Sequence, residues 1–204
     1  MPAPREVKSR RRASPSKGDQ RELAILDVAE RQILEVGLDR MTVETIATAA
    51  GITRGALYFY FASKNDVLTA LVERVASSIV SEVEQADASA PLDPREALRH
   101  GVLQTARLWH DHGAVMRAAV ELSPSIAGVD EHWRAAIAAT ASTTRRAMVR
   151  AGISDDDGPH GAAALSRALV WMTERSFYEA VKDRASLDHV AETVIHLWFA
   201  ALPD

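Results

Sequence analysis

The chain has 204 residues, with 24 Lys and Arg against 28 Asp and Glu, a formal net charge of −4, and no cysteine. That length can bury a sizeable core in one large domain or two small ones, and the lack of cysteine excludes disulfide frameworks, thiolate metal sites, cysteine nucleophiles and thiol redox switches. No run of about 18 apolar residues spans a membrane, and the charged N-terminus has no apolar stretch behind it to act as a secretory signal, so the expected setting is cytoplasmic.

The charge is uneven. Residues 1–21 carry seven bases and two acids, residues 22–66 four bases and seven acids, and residues 67–204 13 bases and 19 acids. A basic N-terminal end on an acidic body reads either as a surface that meets a polyanion end-on or as a solvated tail. Residues 1–18 hold Pro2, Pro4, Pro15, Gly18 and Arg10–Arg12 with few apolar residues, and are expected to form a disordered basic arm.

From Asp19 onward the apolar residues recur at helical spacing, and no run alternates as a strand would. Leu23, Leu26, Ile33 and Leu34 form a first stripe, with Gly37 as C-cap. Thr42 caps a short helix Val43–Ala50 that Gly51 stops, and Thr53 caps a second, Arg54–Phe61. Ser63 with Asp66 reads as a variant capping box opening a long helix to about Gln85. After a break at Asp87–Pro94, five more helices are expected at about 94–111, 114–122, 126–151, 161–183 and 187–202, with Gly113 separating the first two. The expected fold is all-α.

Residues 42–61, TVETIATAAGITRGALYFYF, are two short helices joined at Gly51-Ile52, a helix-turn-helix whose small core is Ile46, Ile52 and Leu57. Such a unit places its second helix in the DNA major groove. The exposed residues suit that task. Thr53, Arg54 and Gly55 open the second helix, where free N–H groups favour phosphate. Arg54 can read a guanine edge or bind phosphate, Gly55 permits close backbone approach, and Tyr58 and Tyr60 offer hydroxyls and rings. Lys64, a cation in the first turn of a helix, is well placed only if it faces an anion such as phosphate. Thr42 can present an N–H to the DNA backbone. The alternative reading of these residues alone is an ordinary helical corner.

The stretch Met41–Leu71 resembles the DNA-binding signature of the TetR family of transcriptional repressors. It carries Thr42, Ile46-Ala47, Ala50-Gly51-Ile52-Thr53, Gly55, Leu57-Tyr58, Tyr60-Phe61 and Ser63-Lys64 at the family's fixed positions. The resemblance covers roughly residues 19–79. It implies an N-terminal three-helix DNA-binding domain there, a ligand-binding and dimerisation bundle over residues 80–204, and DNA contacts at Thr42, Thr53, Arg54, Gly55, Tyr58, Tyr60 and Lys64. RELAIL at 21–26, YFYF at 58–61, MTER at 172–175 and IHLW at 195–198 are similar to one member of the family. That likeness sets Leu98, Thr140, Thr143, Val170 and Thr173 where the member has its aromatic and amide pocket residues, keeps Trp133 and Trp198, and implies a different pocket shape and ligand.

The family implies a pocket inside the C-terminal bundle. The lining candidates are Trp109, Met116, Trp133, Thr144, Trp171, Met172, Thr173, Phe177 and Trp198, a mostly apolar set suited to a small hydrophobic or aromatic effector. The same aromatics could be plain core. Glu174 lies among apolar residues, or pairs with Arg175 or Arg167 outside the pocket. The last two helices are rich in small and apolar residues, which fits burial within one chain or a homodimer interface. His110-Asp111-His112 does not set both rings on one helical face, so no metal site and no cofactor is expected. Neither a nucleophile elbow nor a phosphate loop nor a dinucleotide fingerprint occurs, and no enzyme is expected. The reading is a dimeric, ligand-responsive regulator of double-stranded operator DNA with no membrane partner. The rivals are an activator of the same build and a helical adaptor that does not bind DNA.

Overall fold

The computed structural model describes residues 16–88 and 93–203. Among them the elements are α1 (Lys17–Val36), a 3₁₀ turn (Leu38–Arg40), α2 (Val43–Ala49), α3 (Arg54–Tyr60), α4 (Lys64–Ala88), α5 (Pro94–Leu122), α6 (Ala127–Arg150), α7 (Ala162–Asp183) and α8 (Leu187–Ala200). The expected arm falls outside the described residues up to position 15. Its last residues differ from the expectation: Ser16 caps α1 through a reciprocal capping box with Asp19, so the helix already includes Lys17 and Gly18. Two backbone donors at the helix end are satisfied by side chains three residues apart, which is why the helix starts at a serine.

The first four helices follow local signals. Thr42 and Thr53 cap α2 and α3, each accepting from the backbone N–H three residues on. Gly51 takes a φ of 65° and lets the chain reverse between them, a conformation costly for any residue with a Cβ. Ile46, Leu57 and Met41 are wholly buried beneath the pair, against Ile25, Ala29 and Leu68 of α1 and α4. The 3₁₀ turn at Leu38–Arg40 has no counterpart in the sequence reading.

The body differs in one element. Instead of separate helices at 94–111 and 114–122, α5 runs on to Leu122 with a kink at His112 (φ −120°, ψ 15°). Gly113 does not end the helix; it lets α5 approach α7, because a Cβ there would lie 3.2 Å from Val181 Cγ2. Four helices therefore follow α4. The core is continuous from Ile25 and Leu57 at one end through Leu71 and Val75 of α4 to Trp109, Phe177 and Trp198. Helix α4 thus belongs to both ends of the molecule: it packs against α1 and shares the core beneath the helix-turn-helix, and it also packs along α5 and α6.

Candidate nucleic-acid interface and ligand cavity

The face presented by α2 and α3 is polar and partly preorganised. Arg54 donates through Nη2 and Nε to the Tyr58 hydroxyl at 3.0 and 3.3 Å, and its guanidinium lies 5.4 Å from the Tyr58 ring centre. The pair, one turn apart, holds an extended cation in one orientation, and the hydroxyl keeps Arg54 more firmly charged than usual. Thr42, Thr53, Gly55 and Tyr58 are exposed alongside it.

Two residues behave differently from the sequence reading. The backbone N–H of Thr42, expected to meet DNA, is taken by Thr45 Oγ1 at 2.9 Å. Lys64 is half-buried and donates to the Leu38 carbonyl at 2.9 Å, pinning the start of α4 to the 3₁₀ turn. A cation at that helix end is therefore compensated inside the protein, with two of its three N–H donors left over. Tyr60 is half-buried against the core, whereas its neighbour Phe59 is 84% exposed. Phe59 escaped the sequence reading. In a seven-residue helix whose inward positions are Ala56, Leu57 and Tyr60, its place on the outer face follows from the helical period.

A charged cluster ties this head to the body. Arg74 of α4 bonds Asp27 at 2.7 Å and Glu30 at 2.6 Å, both on α1. Glu30 also meets His112 Nδ1 at 2.9 Å, at the kink of α5. One half-buried carboxylate thus links three helices. The other ring of the His110–His112 pair faces Asp111, so the two imidazoles do not converge. Among the described residues no group of three or more His, Asp or Glu could hold a metal ion, and no helix is long and apolar enough to cross a membrane.

The body holds a cavity of about 100 Å³ walled by α4, α5, α6, α7 and α8. Trp109, Met116, Trp133, Thr144, Thr173 and Trp198 line it, as do Leu98, Thr140, Thr143 and Val170. Three expected lining residues do not. Phe177 is wholly buried and stacks on Trp109 with ring centres 6.5 Å apart, filling the core behind the wall. Met172 is half-buried against the core, and Trp171 is 40% exposed on the outside of α7. The reason is rotational: α7 turns Val170, Thr173 and Glu174 inward, three and four residues apart, and Trp171 sits about 100° round the helix from Val170. Ile79 and Val83 of α4 and Gly101 of α5 also line the cavity and were not expected. A Cβ on Gly101 would meet nothing within 4 Å, so the missing side chain is room in the cavity.

Glu174 is inside. It is 4% exposed and accepts from Trp133 Nε1 at 3.4 Å. Arg175 Nε stands 3.9 Å from its other oxygen, beyond hydrogen-bond reach. Burial pushes its carboxyl above the usual range, against the smaller opposing pull of Arg175 and the Trp133 N–H.

A helix-turn-helix head carrying an exposed Arg–Tyr pair, joined by one long helix to a hollow helical bundle, defines a DNA-binding regulator with an internal chamber. The comparisons with known proteins agree. The family described as "Bacterial regulatory proteins, tetR family" matches residues 25–71. The HTH-type transcriptional regulator EthR of Mycolicibacterium smegmatis is 33% identical over 205 residues, 97% of this chain and 93% of that protein. Among solved structures, the fatty acid degradation regulator FadR from Bacillus halodurans superposes with a TM-score of 0.74 at 18% identity, covering 91% of this chain and 96% of that one. SmeT, the repressor of the Stenotrophomonas maltophilia multidrug efflux pump SmeDEF, does so at 0.67 and 26%, covering 89% of each. The chain belongs to the tetR family of bacterial regulatory proteins. It is a helix-turn-helix transcriptional regulator, not an enzyme, and the adaptor reading is not favoured.

Proposed function

We propose that this chain is a homodimeric repressor that binds a palindromic operator through α2 and α3 and leaves it when a small hydrophobic or aromatic effector fills the cavity. The observation that carries the proposal is the double membership of α4. Its first residue, Lys64, is pinned to the turn before α2, and Ile79 and Val83 further along the same helix wall the cavity. Fifteen residues of helix are roughly 22 Å, so a 5° tilt forced at Ile79 moves the head by about 2 Å. Two heads must match half-sites about 34 Å apart or a multiple of that, and a shift in their separation lowers affinity.

Thr42, Thr53, Arg54, Gly55, Tyr58, Tyr60 and Lys64 are the proposed DNA contacts, with Phe59 added. Gly55 supports the assignment from within the protein. A Cβ there would meet only Thr53 Oγ1, at 3.9 Å, so packing does not require glycine in a helix where it costs up to about 1 kcal/mol. A close approach from outside does. The dimer surface is assigned to α7 and α8, where Trp171 and Leu197 stand 40% and 44% exposed. The arm, through Arg10–Arg12, adds phosphate contacts in this reading.

The test is fluorescence anisotropy of the purified protein with duplex from upstream of its own gene, across a salt series. Competitor-resistant binding with a steep salt slope is expected. A 22 kDa monomer in sedimentation at micromolar concentration, together with binding no tighter than to random duplex, would overturn the proposal.

A further inference from the structure

We infer that the cavity selects a hydrophobic amine, held by Glu174; this rests on the effector reading above and names the chemical class of that effector. Six polar groups of the wall each donate a proton within the protein. Trp133 donates to Glu174, and Trp198 donates to Thr173 Oγ1 at 3.0 Å. Thr173, Thr140 and Thr105 each donate to a main-chain carbonyl one turn back, at 2.7, 2.9 and 2.9 Å. Gln104 donates to Glu82 at 2.7 Å. What the threonines and Glu174 keep after these bonds is acceptor capacity: hydroxyl oxygens and one carboxylate.

Glu174 Oε2 is the one group among them that is both buried and without a hydrogen-bond partner. The nearest cation, Arg175, is half-exposed and lies over the Tyr178 ring at 4.8 Å, so it does not close the site. An unpartnered carboxylate oxygen in an apolar, tryptophan-rich chamber is costly unless a donor arrives. An ammonium group on an apolar body supplies the charge and the protons, while Trp109 and Trp133, with ring centres 6.3 Å apart, supply aromatic surface to a cation. Arg150 also borders the cavity, as an exposed residue at the last turn of α6. A ligand whose polar group is a carboxylate would meet Glu174 as a like charge.

The test uses three probes of one shape: 4-phenylbutylamine, its neutral alcohol and its carboxylate. Binding is read by tryptophan fluorescence, since three of the four tryptophans line the cavity, and by operator release in the anisotropy assay. The full chain is compared with Glu174→Gln and with Gly101→Leu, whose side chain occupies the cavity without striking the wall at Cβ. The amine is expected to bind about tenfold or more tighter than the alcohol, as a charge-assisted contact out of water provides. Gln is expected to erase that preference and keep the alcohol's affinity, and Leu is expected to abolish both. If the alcohol or carboxylate binds the unaltered protein as tightly as the amine, the amine inference falls and the effector reading stands. If no probe binds, or Gly101→Leu leaves binding unchanged, the cavity is not the effector site and both fall. The comparison among probes on the unaltered chain decides the first point even if a variant does not fold.

Discussion

The crossing of α4 and α6 is set by a missing methyl group, and adding it back has a calculable consequence. A Cβ on Gly128 would lie 2.7 Å from Thr69 Cγ2, 3.2 Å from its Oγ1 and 3.6 Å from its Cβ. Carbon atoms pack best at about 3.5–4.0 Å, so Gly128→Ala creates an overlap of roughly 1 Å between two helices. Threonine on a helix has few rotamers with which to avoid it. Overpacking of this kind costs about 1–3 kcal/mol. The gain from removing a helical glycine, at most about 1 kcal/mol and less in a first turn, offsets part of it. The expected net loss is about 1–2 kcal/mol, or roughly 2–8 °C in Tm for a chain of this length. In a Thr69→Ala background the nearest atom is the Cβ at 3.6 Å, an ordinary contact, and Gly128→Ala becomes neutral or slightly stabilising. Urea denaturation of the four proteins at one fixed protein concentration measures the coupling, expected to reach about 1 kcal/mol or more. Equal m-values would keep the comparison on stability. An equal cost of Gly128→Ala in both backgrounds would refute the reasoning, because the clash would then not be with Thr69.

Two further outcomes follow from the head and the chamber. Arg54→Ala is expected to weaken operator binding by about 1–3 kcal/mol per reading head if Arg54 reads a base. If it contacts phosphate, the same change flattens the salt slope by about one per head; loss of neither affinity nor slope removes Arg54 from the interface. The Glu174 carboxyl has its pKa raised on folding, so the folded state holds its proton more tightly than the unfolded chain does. Its contribution to stability is therefore full below the ordinary carboxyl range and is lost as pH rises through the folded value. Glu174→Gln should then stabilise the ligand-free protein at about pH 8 by on the order of 1 kcal/mol, with no gain at about pH 4. Thermal melts at the two pH values check this, and a gain that is the same at both would contradict the assignment.

Much of the architecture is written locally. Thr42 and Thr53 mark the starts of α2 and α3 because a short hydroxyl side chain next to free N–H groups satisfies them wherever it occurs. Gly51 marks the turn because few other residues accept its φ. The face carrying Arg54, Gly55 and Tyr58 follows from the helical period alone. The role of a residue with more than one available partner does not. Lys64 reads as a cation with only phosphate to face until the Leu38 carbonyl, 26 residues away, is seen to take one of its donors. Gly113 reads as a helix end until Val181 of α7 shows what the missing Cβ makes room for. The tryptophans carry the same lesson. Trp109, Trp133, Trp171 and Trp198 are alike in a sequence, and burial of an aromatic is favourable wherever it happens. Which of them faces a cavity depends on how far each helix is rotated about its axis. That rotation minimises the energy of all five packed helices together, so Trp171 faces outward while Glu174, three residues on, faces in. The helices and the reading head are properties of neighbouring residues. The chamber, and the carboxylate inside it, exist only once the helices have packed.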